Sequence, residues 1–251
     1  MALIAALLAF FWVLAWVGNP YLDNTKSADD ALVPWTAPTL PKPSTTVVLP
    51  PPGFPSMEFP PPMPEVPEGQ PQPVPTRFGL SYSVPSDSSW YPSNSTVMGW
   101  TDDSGDIATY GAVSSYKYGY CPDTRGSTLA EVGVTGRNGV DIDTVAREEV
   151  GKAERIFSDD EAGRKPKVAI QGPFVLEVSG RPAVRYTAVV TDIPKKNGCD
   201  PSRAHFDIVA TPAYATAEVM ILMVEHHVGL PMALSSGDVD TIIKSLRKTE
   251  E

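Results

Sequence analysis

Four runs of β-branched and aromatic residues within positions 173–228 constrain this chain more than any other feature. Residues 174–178 and 183–191 flank Ser179-Gly180-Arg181-Pro182, which reads as a hairpin turn; residues 205–211 and 218–226 form a second pair. Gly, Pro and Asn punctuate the gaps, as strand-turn-strand connections require. The centre of the fold is therefore expected to be an antiparallel sheet. Upstream, Phe78, Leu80, Tyr82 and Val84 alternate with small or polar residues, the period of a half-buried strand. Residues 97–100 and 107–116 read as further strands around the turn at Asp102-Asp103-Ser104-Gly105.

Two helices are expected beside the sheet. Residues 144–157 place Val145, Ala146, Val150, Ala153, Ile156 and Phe157 on one face, behind a cap at Asp143 or Asp141. Near the C-terminus, Val239, Ile242, Ile243 and Leu246 make an i, i+3, i+4, i+7 stripe. Ser236 reads as the cap, Asp238 and Asp240 sit in the first turn, and Lys244, Arg247 and Lys248 in the last turns. The expected class is α+β: a mostly antiparallel sheet packed by two main helices in two layers.

The N-terminal third has another character. Ala2 to Val17 is an unbroken apolar run that, as a helix, spans about 24 Å, close to the ~30 Å of a hydrocarbon core. Trp12, Trp16 and Tyr21 cluster at its C-terminal end, where an interfacial aromatic belt sits. No basic flank precedes the run and no small-residue cleavage site follows it, so residues 1–22 read as an uncleaved membrane anchor on a chain expected to begin upstream of Met1. Sixteen of the 27 prolines lie between Pro34 and Pro75. Proline fixes φ and removes a donor, so residues 23–76 read as an extended, disordered stalk in which neither a helix nor an inner strand can form. Residues 77–251 then form one extracytoplasmic domain.

Net charge of −10 excludes a nucleic-acid footprint, which needs a basic patch. In an external domain the only two cysteines, Cys121 and Cys199, read as one disulfide; a metal site is the alternative, although no other ligand lies at the usual spacing. A hydrolase would want a Gly-x-Ser-x-Gly elbow, and none is present. His226 and His227 are adjacent on a strand and point to opposite faces, so they cannot share a metal. Asp102, Asp103 and Asp106 suggest a turn rather than a calcium loop, because the loop's twelfth-position glutamate is missing. Asn94-Ser95-Thr96 matches a glycosylation sequon. What remains is aromatic: Trp90, Tyr91, Tyr116, Tyr118 and Tyr120 are the candidate binding surface, with Trp100 and Tyr110 assigned to the core. No catalytic, metal or cofactor residue is assigned, and no cofactor is expected.

The aromatic first strand, the Trp loop, the acidic Gly turn, Tyr118-Gly119-Tyr120-Cys121, Cys199-Asp200-Pro201 and the terminal residues 240–247 together resemble a family of actinobacterial envelope proteins. These carry a membrane anchor, a proline-rich stalk and an external domain of unknown function. The domain also resembles the PsbP-like α/β/α sandwich of small lipoproteins, but it lacks a lipidation cysteine. The resemblance covers residues 78–247. It implies a non-enzymatic accessory domain at the cell membrane, holding an envelope protein or a small hydrophobic ligand, and it carries no catalytic residue across. An extracytoplasmic hydrolase built around the histidines is the alternative.

Overall fold

A computed structural model describes residues 61–67 and 69–250. The expected membrane anchor and most of the expected stalk lie outside these residues. Among the described residues no helix is long and apolar enough to cross a membrane.

Eleven strands dominate the described region, and every pairing between them is antiparallel. They are β1 (Gln72–Pro75), β2 (Leu80–Val84), β3 (Trp90–Tyr91), β4 (Val97–Asp102), β5 (Gly105–Tyr116), β6 (Ala130–Arg137), β7 (Lys167–Val178), β8 (Arg181–Thr191), β9 (Arg203–Pro212), β10 (Val219–His227) and β11 (Arg247–Lys248). The eight-stranded sheet runs β3-β5-β6-β10-β9-β8-β7, with β4 also paired to β5; a three-stranded sheet runs β1-β2-β11.

The expectation of a sheet packed by two main helices in two layers is overturned. Helices α1 (Ile142–Val150), α2 (Ala153–Ile156) and α3 (Ser236–Lys244) have only nine, four and nine residues. The single helix expected over 144–157 is bent at its middle into α1 and α2. Gly151 N–H still bonds Arg147 O, but Lys152 N–H reaches only three residues back, to Glu149 O, and regular pairing resumes at Ile156. A glycine followed by one tighter turn is enough to break so short a helix. The architecture is mostly antiparallel β.

The large sheet has a core on each face. On one, Val132, Val134, Val209, Met220, Leu222 and Val224 meet the small sheet's Leu80, Tyr82 and Val84, with Val239, Ile242 and Ile243 of α3 beside them. On the other, Tyr186, Phe206, Ile208, Ile221 and Met223 pack on Val145, Ala146 and Val150 of α1. Along β10, even positions serve the first core and odd positions the second, which is the pleat at work.

Two departures from the sequence expectations have local causes. No strand is expected between residues 116 and 144, yet Ala130–Arg137 forms β6, a central strand. A Cβ on Gly133 would lie 2.9 Å from Tyr110 Cβ, and one on Gly136 would strike the Phe78 ring and lie 2.8 Å from Ala217 Cβ. The glycines are there because neighbours pack onto the strand. The paired structure also begins before position 77: Gln72–Pro75 is the edge strand β1, and Val74 is fully buried. Prolines are tolerated there because an edge strand can leave its outer side unpaired.

Candidate functional site

The five aromatic residues singled out from the sequence fall in three places. Trp90 and Tyr116 are register partners on β3 and β5, with ring centroids 5.1 Å apart. Trp90 is 5% exposed and belongs to the core shared with α3. Tyr91 points the other way, is 57% exposed, and meets Tyr118 edge-on at 6.0 Å. Tyr120 is part of neither group: its O–H donates to Cys199 O at 2.7 Å, and its ring stands edge-on to His227 at 6.1 Å.

Cys121 and Cys199 form a disulfide. It ties the loop after β5 to the loop between β8 and β9. Cys121 is buried and its N–H bonds Ser127 Oγ, so the staple sits inside a hydrogen-bonded loop.

Trp90 and Tyr116 form one wall of a groove of about 690 Å³, of a size suited to a small ligand. Leu234 and Ile242 form the opposite wall, from α3 and the segment before it, and Val84 lies between them. Local chemistry holds this opening in shape. Ser235 caps α3 in a capping box with Asp238, each side chain bonding the other's backbone N–H. Ser83 N–H donates to Ser245 Oγ at 2.7 Å, which ties the end of α3 to β2. The loop before β3 is fixed by Asp87, whose Oδ1 accepts from Ser89 N–H at 2.7 Å and whose carbonyl accepts from Trp90 N–H at 3.1 Å.

The groove is apolar at its walls and acceptor-rich at its rim. Burial, with the charges of Asp87 and Asp238 nearby, pushes the Tyr116 phenol above the ordinary tyrosine value. Ser86 lines the same opening, and its Oγ is buried without a hydrogen-bond partner. A buried hydroxyl left unmatched costs free energy unless an incoming group satisfies it. Sequence reading reached the two aromatics but not Ser86, Leu234 or the Ile242 face, since strand and helix periodicity give no sign of which surfaces leave a gap.

The other candidate residues have structural surroundings. Tyr110 is fully buried and donates its O–H to Glu149 Oε1 at 2.6 Å; Trp100 stands edge-on to both Tyr110 and Phe206. Asp102 Oδ1 accepts from Ser104 N–H at 2.8 Å and Oδ2 from Arg155 Nε at 2.8 Å, which accounts for the acidic turn. His205 and His226 stand edge-on at 5.0 Å, and His226 Nε2 lies 3.9 Å from Asp207 Oδ2. His227 lies on the opposite face, 3.4 Å from Glu225 Oε1. Burial pushes His226 and His227 down to about 4, so both are neutral near pH 7. Among the described residues no group of three or more His, Cys, Asp or Glu is arranged to hold a metal ion.

No curated protein sequence matches the chain. Among solved structures, cyanobacterial PsbP (CyanoP) from Synechocystis sp. PCC 6803 aligns at 10% identity and a TM-score of 0.37, over 68% of this chain and 88% of that one. A score of that size does not establish a shared fold. Residues 62–251, from just before β1 to the end of the chain, match the family described as Domain of unknown function (DUF8017), and the chain belongs to that family.

Proposed function

We propose that this domain is a non-enzymatic, extracytoplasmic binding module, tethered to the cell membrane by residues 1–22, and that it holds a small hydrophobic ligand. The observation that carries the reading is the 690 Å³ groove between the Trp90–Tyr116 pair and the Leu234–Ile242 wall, with the unmatched Ser86 hydroxyl in its lining. Apolar walls with a few convergent polar groups favour burial of a ligand that carries one or two oxygen or nitrogen atoms. The Cys121–Cys199 disulfide supports an oxidising compartment. The apolar run from Ala2 to Val17 supports the tether.

A protein partner is the second reading, and β7 favours it. This twelve-residue strand ends the large sheet, and Ile170, Phe174 and Val175 on it are exposed. A long edge strand with apolar side chains in water is a template for strand addition by another chain.

Native mass spectrometry of the full chain, purified oxidised from cell envelopes, separates the two readings. A non-covalent adduct that disappears in Leu234→Arg is the result expected of a groove ligand. A clean apo mass, together with crosslinks from β7 to another envelope protein, transfers the function to the edge strand. An adduct that survives Leu234→Arg overturns the groove as its site.

A further inference from the structure

On the sheet face opposite the groove, the pleat brings two glutamates together. Glu131 on β6 and Glu225 on β10 are direct register partners, so their side chains leave the same face side by side. Like charges placed opposite one another across strands repel. Among the described residues no lysine or arginine pairs with either one; the only basic group nearby is His227, whose Nε2 lies 3.4 Å from Glu225 Oε1 without making a hydrogen bond. Glu225 is 5% exposed and its Oε1 has no partner; His227 Nδ1 is a second buried, unpartnered atom in the same lining. Both glutamates open onto a pocket of about 210 Å³, whose other walls include the rings of Trp100, Tyr120 and Phe157.

Carboxylates surrounded by aromatic rings make a site for a cation, because each ring presents a negative face to positive charge. The described residues offer no set of three or more metal ligands there. A quaternary ammonium has no N–H to give to Glu225 Oε1. Hydrated metal ions match oxygen shells rather than ring faces. The volume holds on the order of half a dozen heavy atoms at roughly 30 Å³ each.

We propose that this pocket binds a primary ammonium group carried on a short aliphatic stem, with Glu225 and Glu131 accepting hydrogen bonds from its N–H groups and Trp100, Tyr120 and Phe157 enclosing the stem. It is a separate site from the groove. Occupancy couples to ionisation of the carboxyls. Burial raises Glu131 to about 7, and burial with the neighbouring Glu131 charge raises Glu225 well above the ordinary range. The titratable groups facing the ligand are Glu131, Glu225 and His227 from the strands, Tyr120 from the loop before the disulfide, and Asp200 from the loop after it. His227 is already neutral at pH 6, so the carboxyls govern the response between pH 6 and 8.

The test is calorimetric titration of the full chain with butylammonium chloride at pH 6 and pH 8. Binding about tenfold tighter at pH 8 is expected, as the carboxyls release protons to the buffer on ligation. Glu225→Gln should weaken it at least tenfold, and Glu131→Gln supplies the same test should the first variant fail to fold. Tetramethylammonium should compete weakly. No heat with wild-type protein overturns the proposal, as does equal affinity in a folded glutamine variant. Displacement of butylammonium by equimolar magnesium also overturns it, by making the site a metal site.

Discussion

At the residue scale, charged side chains on inward faces tie separate elements together. Arg185 and Asp207 sit on β8 and β9 where alternation alone assigns them to water, yet Asp207 is 1% exposed. Arg185 joins Asp207 Oδ1 through Nε at 2.9 Å and Asp240 Oδ1 through Nη1 at 2.7 Å, linking the sheet to α3. Glu149 behaves likewise on α1: it is 2% exposed, bonded by Tyr110 and by Lys152 Nζ at 2.8 Å. Hydropathy cannot reveal that a charge will find its partner on the neighbouring strand. Removing one member of such a pair leaves a buried, uncompensated charge, which costs about 3–5 kcal/mol. Arg185→Met is therefore expected to lower the unfolding free energy measured in urea by an amount in that range. Adding Asp207→Asn should recover part of the loss, because the double variant no longer buries a lone carboxylate. A double variant no more stable than Arg185→Met alone would show that the arginine acts through packing instead.

At the element scale, strands with a clear two-residue period were readable and the interrupted ones were not. β2 falls inside a run seen in the sequence, and β4, β5, β8, β9 and β10 each coincide with one, extending past it by one or two residues at an end. β6 was hidden by Gly133 and Gly136. The first half of β7 was hidden because Gly172-Pro173 divides Lys167–Val178, and the register slips between Gln171 and Phe174. Helix α3 was legible in its stripe, but its cap is Ser235 rather than Ser236, since only Ser235 accepts from the Asp238 N–H. Helix α3 forms one side of the groove, so its cap bears on both stability and the site. Ser235→Ala removes one half of the capping box and should cost about 1 kcal/mol in thermal or urea unfolding. Ser236→Ala should cost much less. The disulfide acts on a longer span: 78 positions separate Cys121 from Cys199, and closing a loop of that size constrains the unfolded chain by about 4 kcal/mol. Cys121→Ser with Cys199→Ser should lower stability by several times the effect of the cap; an unchanged urea midpoint would refute this assignment.

For the whole molecule, the large sheet separates two chemically different openings, and its buried ionisable groups give stability a definite pH signature. Glu131 is raised from 4.5 to about 7, and burial raises Glu225 well above its ordinary value. The folded state therefore holds their protons more firmly than the unfolded chain, and their contribution is lost as pH rises from about 4.5 upward. His226 and His227 are lowered from 6.5 to about 4. The unfolded chain takes up their protons first, so their contribution is lost as pH falls from 6.5 toward 4. Each group that titrates differently in the two states tilts stability by at most about 1.4 kcal/mol per pH unit. Between pH 4.5 and 6.5, two glutamates oppose two histidines and the slopes nearly cancel. Above pH 6.5 the histidines stop contributing, and stability should decline toward pH 8. Glu131→Gln leaves one glutamate against two histidines, so its stability should rise with pH between 4.5 and 6.5 and fall less steeply beyond. At pH 8 the variant should exceed the wild type by less than about 3 kcal/mol, because Glu131 keeps some contact with solvent. Urea midpoints at half-unit intervals from pH 4.5 to 8 read both curves. Parallel curves for the two proteins would mean that Glu131 titrates as it does in water, and that its pocket is open rather than desolvated.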